Sequence, residues 1–81
     1  MSYFVYILKC NDGTLYTGIA KDVDKRINEH NTSEKGARYT KARRPVKLMY
    51  KENSKDRSSA SKRENEIKKL SRKKKLDLIN V

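Results

Sequence analysis

The chain has 81 residues, of which 21 are Lys or Arg and 10 are Asp or Glu, so its formal net charge is +11. This length predicts one domain over residues 1–81 and excludes two-domain enzymes and large cofactor folds. The longest uncharged apolar run, residues 3–8, is too short to cross a membrane. So high a charge on a small domain is typical of nucleic-acid binding, and a merely soluble lysine-rich surface is the alternative.

The compartment and the partner follow from what the chain lacks. Its single cysteine, Cys10, permits no internal disulfide, and the first residues do not form a signal peptide, so we expect a cytoplasmic protein. An anionic membrane would also attract the charge, but no basic helix carries the aromatic and leucine face of an interfacial helix. We therefore expect nucleic acid as the partner, and no membrane.

The first strand is predicted over residues 3–8, whose aromatic and β-branched side chains make it apolar on both alternating faces. A strand of this kind is buried on both sides, so we expect it at the centre of its sheet. Asn11-Asp12-Gly13 predicts a turn, and residues 15–20 predict the second strand of the same hairpin.

The length of the hairpin loop decides which side chains share a face. With a three-residue loop and Gly13 in the left-handed region, Tyr6 lies opposite Gly18 and on the same face as Tyr16. With a two-residue Asp12-Gly13 loop, the two tyrosines lie on opposite faces. The register therefore decides whether the tyrosines can belong to one site.

A first helix is predicted from Val23 to about Asn31, with Asp22 as its N-cap. Arg26 and His30 are four residues apart in this helix, so they project from one side of it.

A polar loop, residues 32–45, leads to a third strand. Val46, Leu48 and Tyr50 alternate with polar residues, which predicts a strand with one buried face that contains all three side chains.

Two helices are predicted after the third strand. The first begins at Ser58 or Ser59 and ends at Leu70. Its core stripe comprises Ala60, Ile67 and Leu70. Ser71 caps a last short helix, from which Leu76 and Ile79 pack back onto the sheet. The order β-β-α-β-α-α predicts a small α+β domain with a three-stranded antiparallel sheet and flanking helices.

Several motifs resemble one family when they are taken in order. Val5-Tyr6-Ile7 and Tyr16-Thr17-Gly18, two segments of one tight hairpin, resemble the signature of the GIY-YIG nuclease superfamily. Arg26, His30 and Glu64 follow in the family's order. Residues 36–40, residues 43–46 and the Ala-x-x-Arg-Glu-x-x-Ile-Lys pattern of residues 60–68 resemble its small stand-alone branch. The chain is similar in this respect to the N-terminal nuclease domain of the family's excision-repair branch, which implies DNA repair as a setting.

The resemblance implies a role for each of these side chains in phosphodiester hydrolysis. Tyr6 would position or deprotonate the attacking water, although free phenol has a pKa near 10 and needs a nearby cation to act as a base. Tyr16 would orient the water or the phosphate, and Arg26 would contact the scissile phosphate. His30 would assist proton transfer or bind phosphate. Glu64 would hold one divalent cation, Mg²⁺ or alternatively Mn²⁺.

The sequence departs from the family pattern at a few positions. The first glycine of the signature is Val5, and Ile19 stands where the repair branch has a lysine. Lys21, two residues farther on, is the nearest substitute for that lysine, and Asn80 is the candidate for an asparagine that relatives often carry about a helix after the glutamate. Neither is carried over. Periodicity alone does not separate Glu64 from Glu66, because each lies on one margin of the apolar stripe. An ordinary helical ion pair between Glu64 and Lys68 is the plain alternative, worth about 0.3–0.5 kcal/mol.

The basic part of the loop before the third strand, residues 35–44, is a candidate nucleic-acid contact; we call it the basic loop. It holds one aromatic residue among several cations, which is suited to a base stacked beside a phosphate backbone. The candidate residues are Arg38, Tyr39, Lys41, Arg43 and Arg44. A solvated loop is the alternative.

The sequence leaves three functions open. The first is a metal-dependent endonuclease that cuts DNA, either structure-selectively or under the direction of a protein partner that supplies specificity. The second is a non-catalytic module on the same fold that binds DNA or RNA. The third is a small basic protein that binds RNA. A carboxylate beside phosphate only weakens binding unless a cation bridges it, which favours the first function. We expect DNA over RNA as the nucleic acid, because the resemblance is to nucleases that cut DNA.

Overall fold

The computed structural model describes residues 2–32 and 42–80, which form a three-stranded antiparallel sheet and three helices. The elements in chain order are β1 (Tyr3–Lys9), β2 (Leu15–Ala20), α1 (Val23–Thr32), β3 (Lys47–Ser54), α2 (Arg57–Lys68) and α3 (Arg72–Ile79). The sheet order β2-β1-β3 puts β1 at the centre, as predicted. In the described part of the chain, each helix is too short or too polar to cross a membrane.

The hairpin has the three-residue loop. Gly13 adopts a φ of 85°, in the left-handed region. The backbone N–H of Cys10 donates to the carbonyl of Thr14 at 2.9 Å, which closes the loop. Tyr6 therefore pairs with Gly18 and Leu8 pairs with Tyr16. This register puts both tyrosines on one face of the sheet, where they can belong to one site.

The central strand divides the core into two faces. Tyr6 and Leu8 pack with Val23 of α1, and we call this side the α1 face. Val5 and Ile7 pack on the other side with two buried residues of α2, Ala60 and Ile67, and we call this side the α2 face. Because side chains alternate along a strand, β1 supplies both faces in turn.

The prediction of a single buried face for β3 is wrong. Ile7 pairs with Tyr50 while the next residue, Leu8, pairs with Leu48, so Met49 forms a β-bulge. A bulge adds one residue and reverses the alternation. Leu48 therefore packs on the α1 face and Tyr50 on the α2 face.

Side-chain caps set where α1 and α2 begin. The carboxylate of Asp22 accepts from the backbone N–H of Lys25 at 3.0 Å, which confirms the predicted cap of α1. The predicted start of α2 at a serine is wrong. Asp56 is the cap, and its carboxylate accepts from the N–H of Ser59 at 2.8 Å. The helix also ends at Lys68 and not at Leu70.

The last helix is capped as predicted but packs through a different residue. The Ser71 hydroxyl accepts from the N–H of Lys74 at 3.2 Å. Ile79 packs on the α2 face as expected, but Leu76 is 36% exposed and Leu78 takes its place.

Candidate active site

A buried pair of polar side chains forms the centre of the α1 face. His30 is 0% exposed and Tyr6 is 1% exposed. The Tyr6 hydroxyl lies 3.0 Å from Nε2 of His30. A buried hydrogen bond of this kind contributes about 0.5–1.5 kcal/mol and avoids the larger cost of two unpaired polar groups. The central strand and α1 are therefore joined by the two groups that the sequence analysis selected for chemistry.

Tyr16 completes an aromatic cluster around the imidazole. The ring centroids of Tyr16 and His30 are 5.3 Å apart, and those of Tyr6 and His30 are 6.1 Å apart. Both pairs meet edge to face, with planes inclined by 66°. The imidazole is thus held by two rings as well as by a hydrogen bond, which fixes its orientation.

Gly18 makes room for the Tyr6 ring. A Cβ at this position would lie 2.5 Å from the Tyr6 hydroxyl oxygen and 2.7 Å from Cζ. Real side chains do not approach so closely, so any other residue would displace the phenol. Because Gly18 has no side chain, the Tyr6 ring can lie across β2, an edge strand of the sheet.

Burial controls the ionisation of this pair. Burial raises the pKa of Tyr6 to about 12, with a further contribution from Tyr16. Burial, together with the positive charges of Arg26 and Arg44, lowers the pKa of His30 to about 4. Both groups are therefore neutral at pH 7.

Arg26 connects the pair to the surface. Its guanidinium donates a hydrogen bond to the Tyr6 hydroxyl, which lowers the pKa of Tyr6 against the larger effect of burial. It also pairs with Glu29 at 3.2 Å, and its side chain remains 30% exposed. Since a guanidinium only donates, the Tyr6 oxygen accepts from Arg26 and its proton is directed to His30.

An open pocket of about 280 Å³ lies beside Arg26. It is lined by the end of β2 and the first turns of α1. Lys21 and Lys25 line it together with Asp22 and Glu29. The ammonium group of Lys21 also lies 5.4 Å from the ring centroid of Tyr3.

The charge of Glu64 in α2 acts on the tyrosines. Its negative charge raises the pKa of both Tyr6 and Tyr16, although burial is the larger cause in each case. Its side chain is 19% exposed and lies 3.6 Å from Lys68, the ordinary helical ion pair. Glu66 differs, because its side chain is 57% exposed and faces Arg63 at 3.8 Å. Of the two carboxylates, Glu64 is the one in electrostatic range of the tyrosine pair.

A single carboxylate is a suitable donor for a weakly held hard cation. Mg²⁺ keeps several of its waters and binds through one or two carboxylates together with substrate phosphates. Within residues 2–32 and 42–80, no three His, Cys, Asp or Glu side chains cluster as a protein cage for a metal would need. Glu64 therefore fits a cation that binds together with substrate and does not fit a resident structural metal.

Two of the basic loop residues have structural contacts. Nε of Arg43 donates to Asp12 in the hairpin loop at 3.0 Å. Nε of Arg44 donates to the backbone carbonyl of His30. The candidate nucleic-acid contacts Arg38, Tyr39 and Lys41 lie outside the described residues.

Arg44 contacts His30, which was not predicted from the sequence. Its positive charge lowers the pKa of His30, so Arg44 acts on the site itself, in addition to the nucleic-acid contact that was predicted for it. No local sequence signal identified it, because Arg44 lies 14 residues from His30 in the chain. The sequence shows that the loop is positively charged, but it does not show which of its cations contacts His30.

Comparisons with known proteins show what this chain is similar to. The GIY-YIG catalytic domain family matches residues 2–77. A UPF0213 protein of Desulfotalea psychrophila is 59% identical over 80 residues, which cover 99% of this chain and 73% of that protein. A UPF0213 protein of Staphylococcus saprophyticus is 58% identical over 78 residues, which cover 96% of this chain and 94% of that protein.

The fold is similar to a solved structure as well. The solution NMR structure of a UPF0213 protein from Bacillus halodurans superposes with a TM-score of 0.62 at 45% identity, covering 99% of this chain and 84% of that chain. Because the family match spans almost the whole chain, the chain belongs to the GIY-YIG family, whose members are in general divalent-metal-dependent endonucleases.

Proposed function

We propose that this chain is a divalent-metal-dependent endonuclease that hydrolyses DNA phosphodiester bonds. The observation that carries the proposal is the buried Tyr6–His30 hydrogen bond, with Arg26 donating to the same hydroxyl and the charge of Glu64 within reach of it. A binding surface does not need a buried neutral pair or a carboxylate beside it. A hydrolytic site needs both a path for a proton and a place for a cation.

Tyr6 acts as a neutral hydroxyl in this proposal. With a pKa of about 12 it is protonated at pH 7, so it does not begin as a base. Its oxygen accepts from Arg26 and from the attacking water, and its proton points to Nε2 of His30. As the water oxygen bonds to phosphorus, the water proton passes to Tyr6 while the Tyr6 proton passes to His30. The bond from phosphorus to the leaving oxygen then breaks, and that oxygen takes a proton from solvent. The proton held by His30 returns through Tyr6 to solvent, which restores the neutral pair.

Arg26 prepares the pair for substrate. Its exposed fraction lets it contact the scissile phosphate through its planar fork. The same positive charge lowers the pKa of His30. A bound phosphate offsets this charge, so binding makes His30 a better proton acceptor at the moment it is needed. Tyr16 holds the imidazole and orients the water or the phosphate.

Glu64 would hold the cation, Mg²⁺ or Mn²⁺, together with the phosphate. When bound, the metal supplies positive charge that stabilises the phosphoryl oxygens in the transition state. Arg38, Tyr39, Lys41, Arg43 and Arg44 would contact the nucleic acid. We propose that cleavage is structure-selective or directed by a partner protein.

The test compares two neighbouring carboxylates of α2. Supercoiled and branched DNA are incubated with wild-type protein, Glu64→Gln and Glu66→Gln, each with Mg²⁺, Mn²⁺ or EDTA. We expect metal-dependent nicking by wild type and by Glu66→Gln, and none by Glu64→Gln, which should retain DNA at least as well as wild type. Loss of cleavage in Glu66→Gln alone would contradict the assignment of Glu64.

A non-catalytic binding module is the second candidate, and the Glu64–Lys68 ion pair favours it. At 3.6 Å this pair gives the carboxylate an ordinary structural role. In this case no variant cleaves, Glu64→Gln binds as wild type does, and Arg43→Ala weakens DNA retention and flattens its salt dependence. RNA offered in parallel would show which nucleic acid the module prefers.

A further inference from the structure

The helix that carries Glu64 has few apolar anchors. Over its 12 residues only Ala60 and Ile67 are buried. Two anchors, one of them a methyl group, specify the rotation of a helix weakly, because helical packing depends on a wider apolar stripe. Some other contact is needed to hold α2 in one orientation over the sheet.

Arg63 supplies that contact from the same stripe. It lies three residues after Ala60 and four before Ile67, so it faces the sheet with them. Its Nε lies 3.1 Å from each carboxylate oxygen of Glu52 in β3. The hydroxyl of Tyr50 donates to the same carboxylate at 2.7 Å. Three side chains therefore fasten one side of α2 to β3.

The contact of Arg63 with Glu52 and Tyr50 lies at the β3 edge of the sheet, and Tyr16 lies at the β2 edge. Glu52 and Tyr50 belong to β3, whereas Tyr16 belongs to β2, on the other side of β1. Glu64 follows Arg63 directly, about 100° farther round the helix. A rotation of α2 that released Arg63 from β3 would therefore also move the Glu64 carboxylate.

We propose that Arg63, held by Glu52 and Tyr50, is a positioning residue that sets the rotation of α2 and so places the Glu64 carboxylate beside Tyr6 and Tyr16. The inference rests on the proposed function for its catalytic consequence. For the placement it rests on the contacts of Arg63 with Glu52 and on the electrostatic effect of Glu64 on the two tyrosines. Arg63 touches neither tyrosine in this role and acts only through the helix.

The test uses two readouts on the full chain. The first is the NMR signal of tyrosine labelled with ¹³C at Cζ, which responds to a charge near the hydroxyl at constant neutral pH. The second is the separation of kcat from KM for DNA nicking. The variants are Arg63→Lys, which keeps the charge but loses the planar fork, and Glu64→Gln as the reference. Arg57→Lys is the matched control, because Arg57 is exposed in the same helix.

We expect Arg63→Lys to move the Tyr6 and Tyr16 signals in the same direction as Glu64→Gln does, and to lower kcat by about tenfold to a hundredfold at unchanged KM. Arg57→Lys should change neither readout. If Glu64→Gln shifts the Tyr6 and Tyr16 signals but Arg63→Lys leaves them as in wild type, the inference is overturned. It is also overturned if Glu64→Gln itself leaves these signals unmoved.

A milder variant covers the case in which Arg63→Lys does not fold. Tyr50→Phe removes one hydroxyl from the same carboxylate and should give a smaller shift in the same direction. Signals identical to wild type in a folded Tyr50→Phe would then count against the inference. If wild-type protein cuts no DNA, the proposed function fails, while the NMR comparison still decides whether Arg63 places Glu64.

Discussion

The two faces of the central strand use the same alternation for different purposes. On the α1 face, β1 presents Tyr6 to His30, and both buried polar groups are paired. On the α2 face, β1 presents Val5 and Ile7 to an apolar layer. Polar groups buried without partners cost about 1–3 kcal/mol each. The candidate chemistry therefore lies on the face where two elements bury complementary polar groups, whereas the other face of β1 is stabilised mainly by apolar contacts.

The largest expected effect is acid sensitivity that arises on the α1 face. His30 has a pKa of about 4 in the folded chain and about 6.5 when unfolded. Between these values the unfolded chain binds more protons, so the free energy of unfolding falls as pH falls from 6.5 to 4, by about 3 kcal/mol in total. Urea unfolding at several pH values measures this slope.

The control for this slope is His30→Gln, which removes the titrating group. The variant should be less stable at pH 7 and should lose less stability on acidification. Parallel slopes in the two proteins would show that His30 takes up its proton as easily in the folded state as in the unfolded state. The aspartates with lowered pKa values, Asp12 and Asp56, also lose stabilising interactions on acidification, and they do so alike in both proteins.

A smaller effect comes from filling the space that Gly18 leaves open. Gly18→Ala puts a methyl group against the Tyr6 phenol, and such overpacking costs about 1–3 kcal/mol. The phenol should move away from His30, so cleavage should fall by more than the loss of stability explains. Thermal unfolding and the imidazole NMR signals of His30 measure the two effects.

Gly13→Ala is the matched control for Gly18→Ala. Gly13 has a φ of 85° and no atom within 4 Å of an added Cβ, so its cost is conformational, about 1–2 kcal/mol. This variant should lose stability and keep the His30 signals unchanged. If both variants left His30 unchanged, the close approach of Tyr6 to Gly18 would have no role in the site.

Much of the fold followed from local sequence signals. The apolar run of β1, the Asn11-Asp12-Gly13 turn and the caps Asp22 and Ser71 each act within a few residues, and each was identified. The β3 bulge at Met49 was not, because alternation along one strand does not reveal an extra residue that only the partner strand defines. Leu76 was predicted to pack where Leu78 does. The face that a two-turn helix turns to the sheet is set by packing and not by the helix's own apolar pattern.

The site was predictable to a different degree. The tyrosine pair, Arg26 and His30 followed from the hairpin register and helical spacing together with the family resemblance. The burial of His30 did not follow, since an isolated histidine in a polar helix gives no sign of it. The hydrogen bonds of Arg44 with the His30 carbonyl and of Arg63 with Glu52 join residues that are brought together by tertiary packing. No spacing along the chain encodes such contacts. Arg63 nevertheless left one signal, a cation within an apolar stripe.

The smallest expected effect concerns the polar side chain that interrupts the α2 face. Thr17 is 3% exposed and pairs across the hairpin with Ile7, and its hydroxyl has no hydrogen-bond partner among the described residues. Thr17→Val keeps the shape and removes this cost, so we expect it to raise the free energy of unfolding by about 1 kcal/mol and the Tm by about 4–8 °C. Thr14→Val is the control, because the Thr14 hydroxyl donates to Asp12 at 2.6 Å and its loss should not stabilise the chain. Destabilisation by Thr17→Val, together with weaker cleavage, would instead place this hydroxyl in the site and remove the distinction between the two faces of β1.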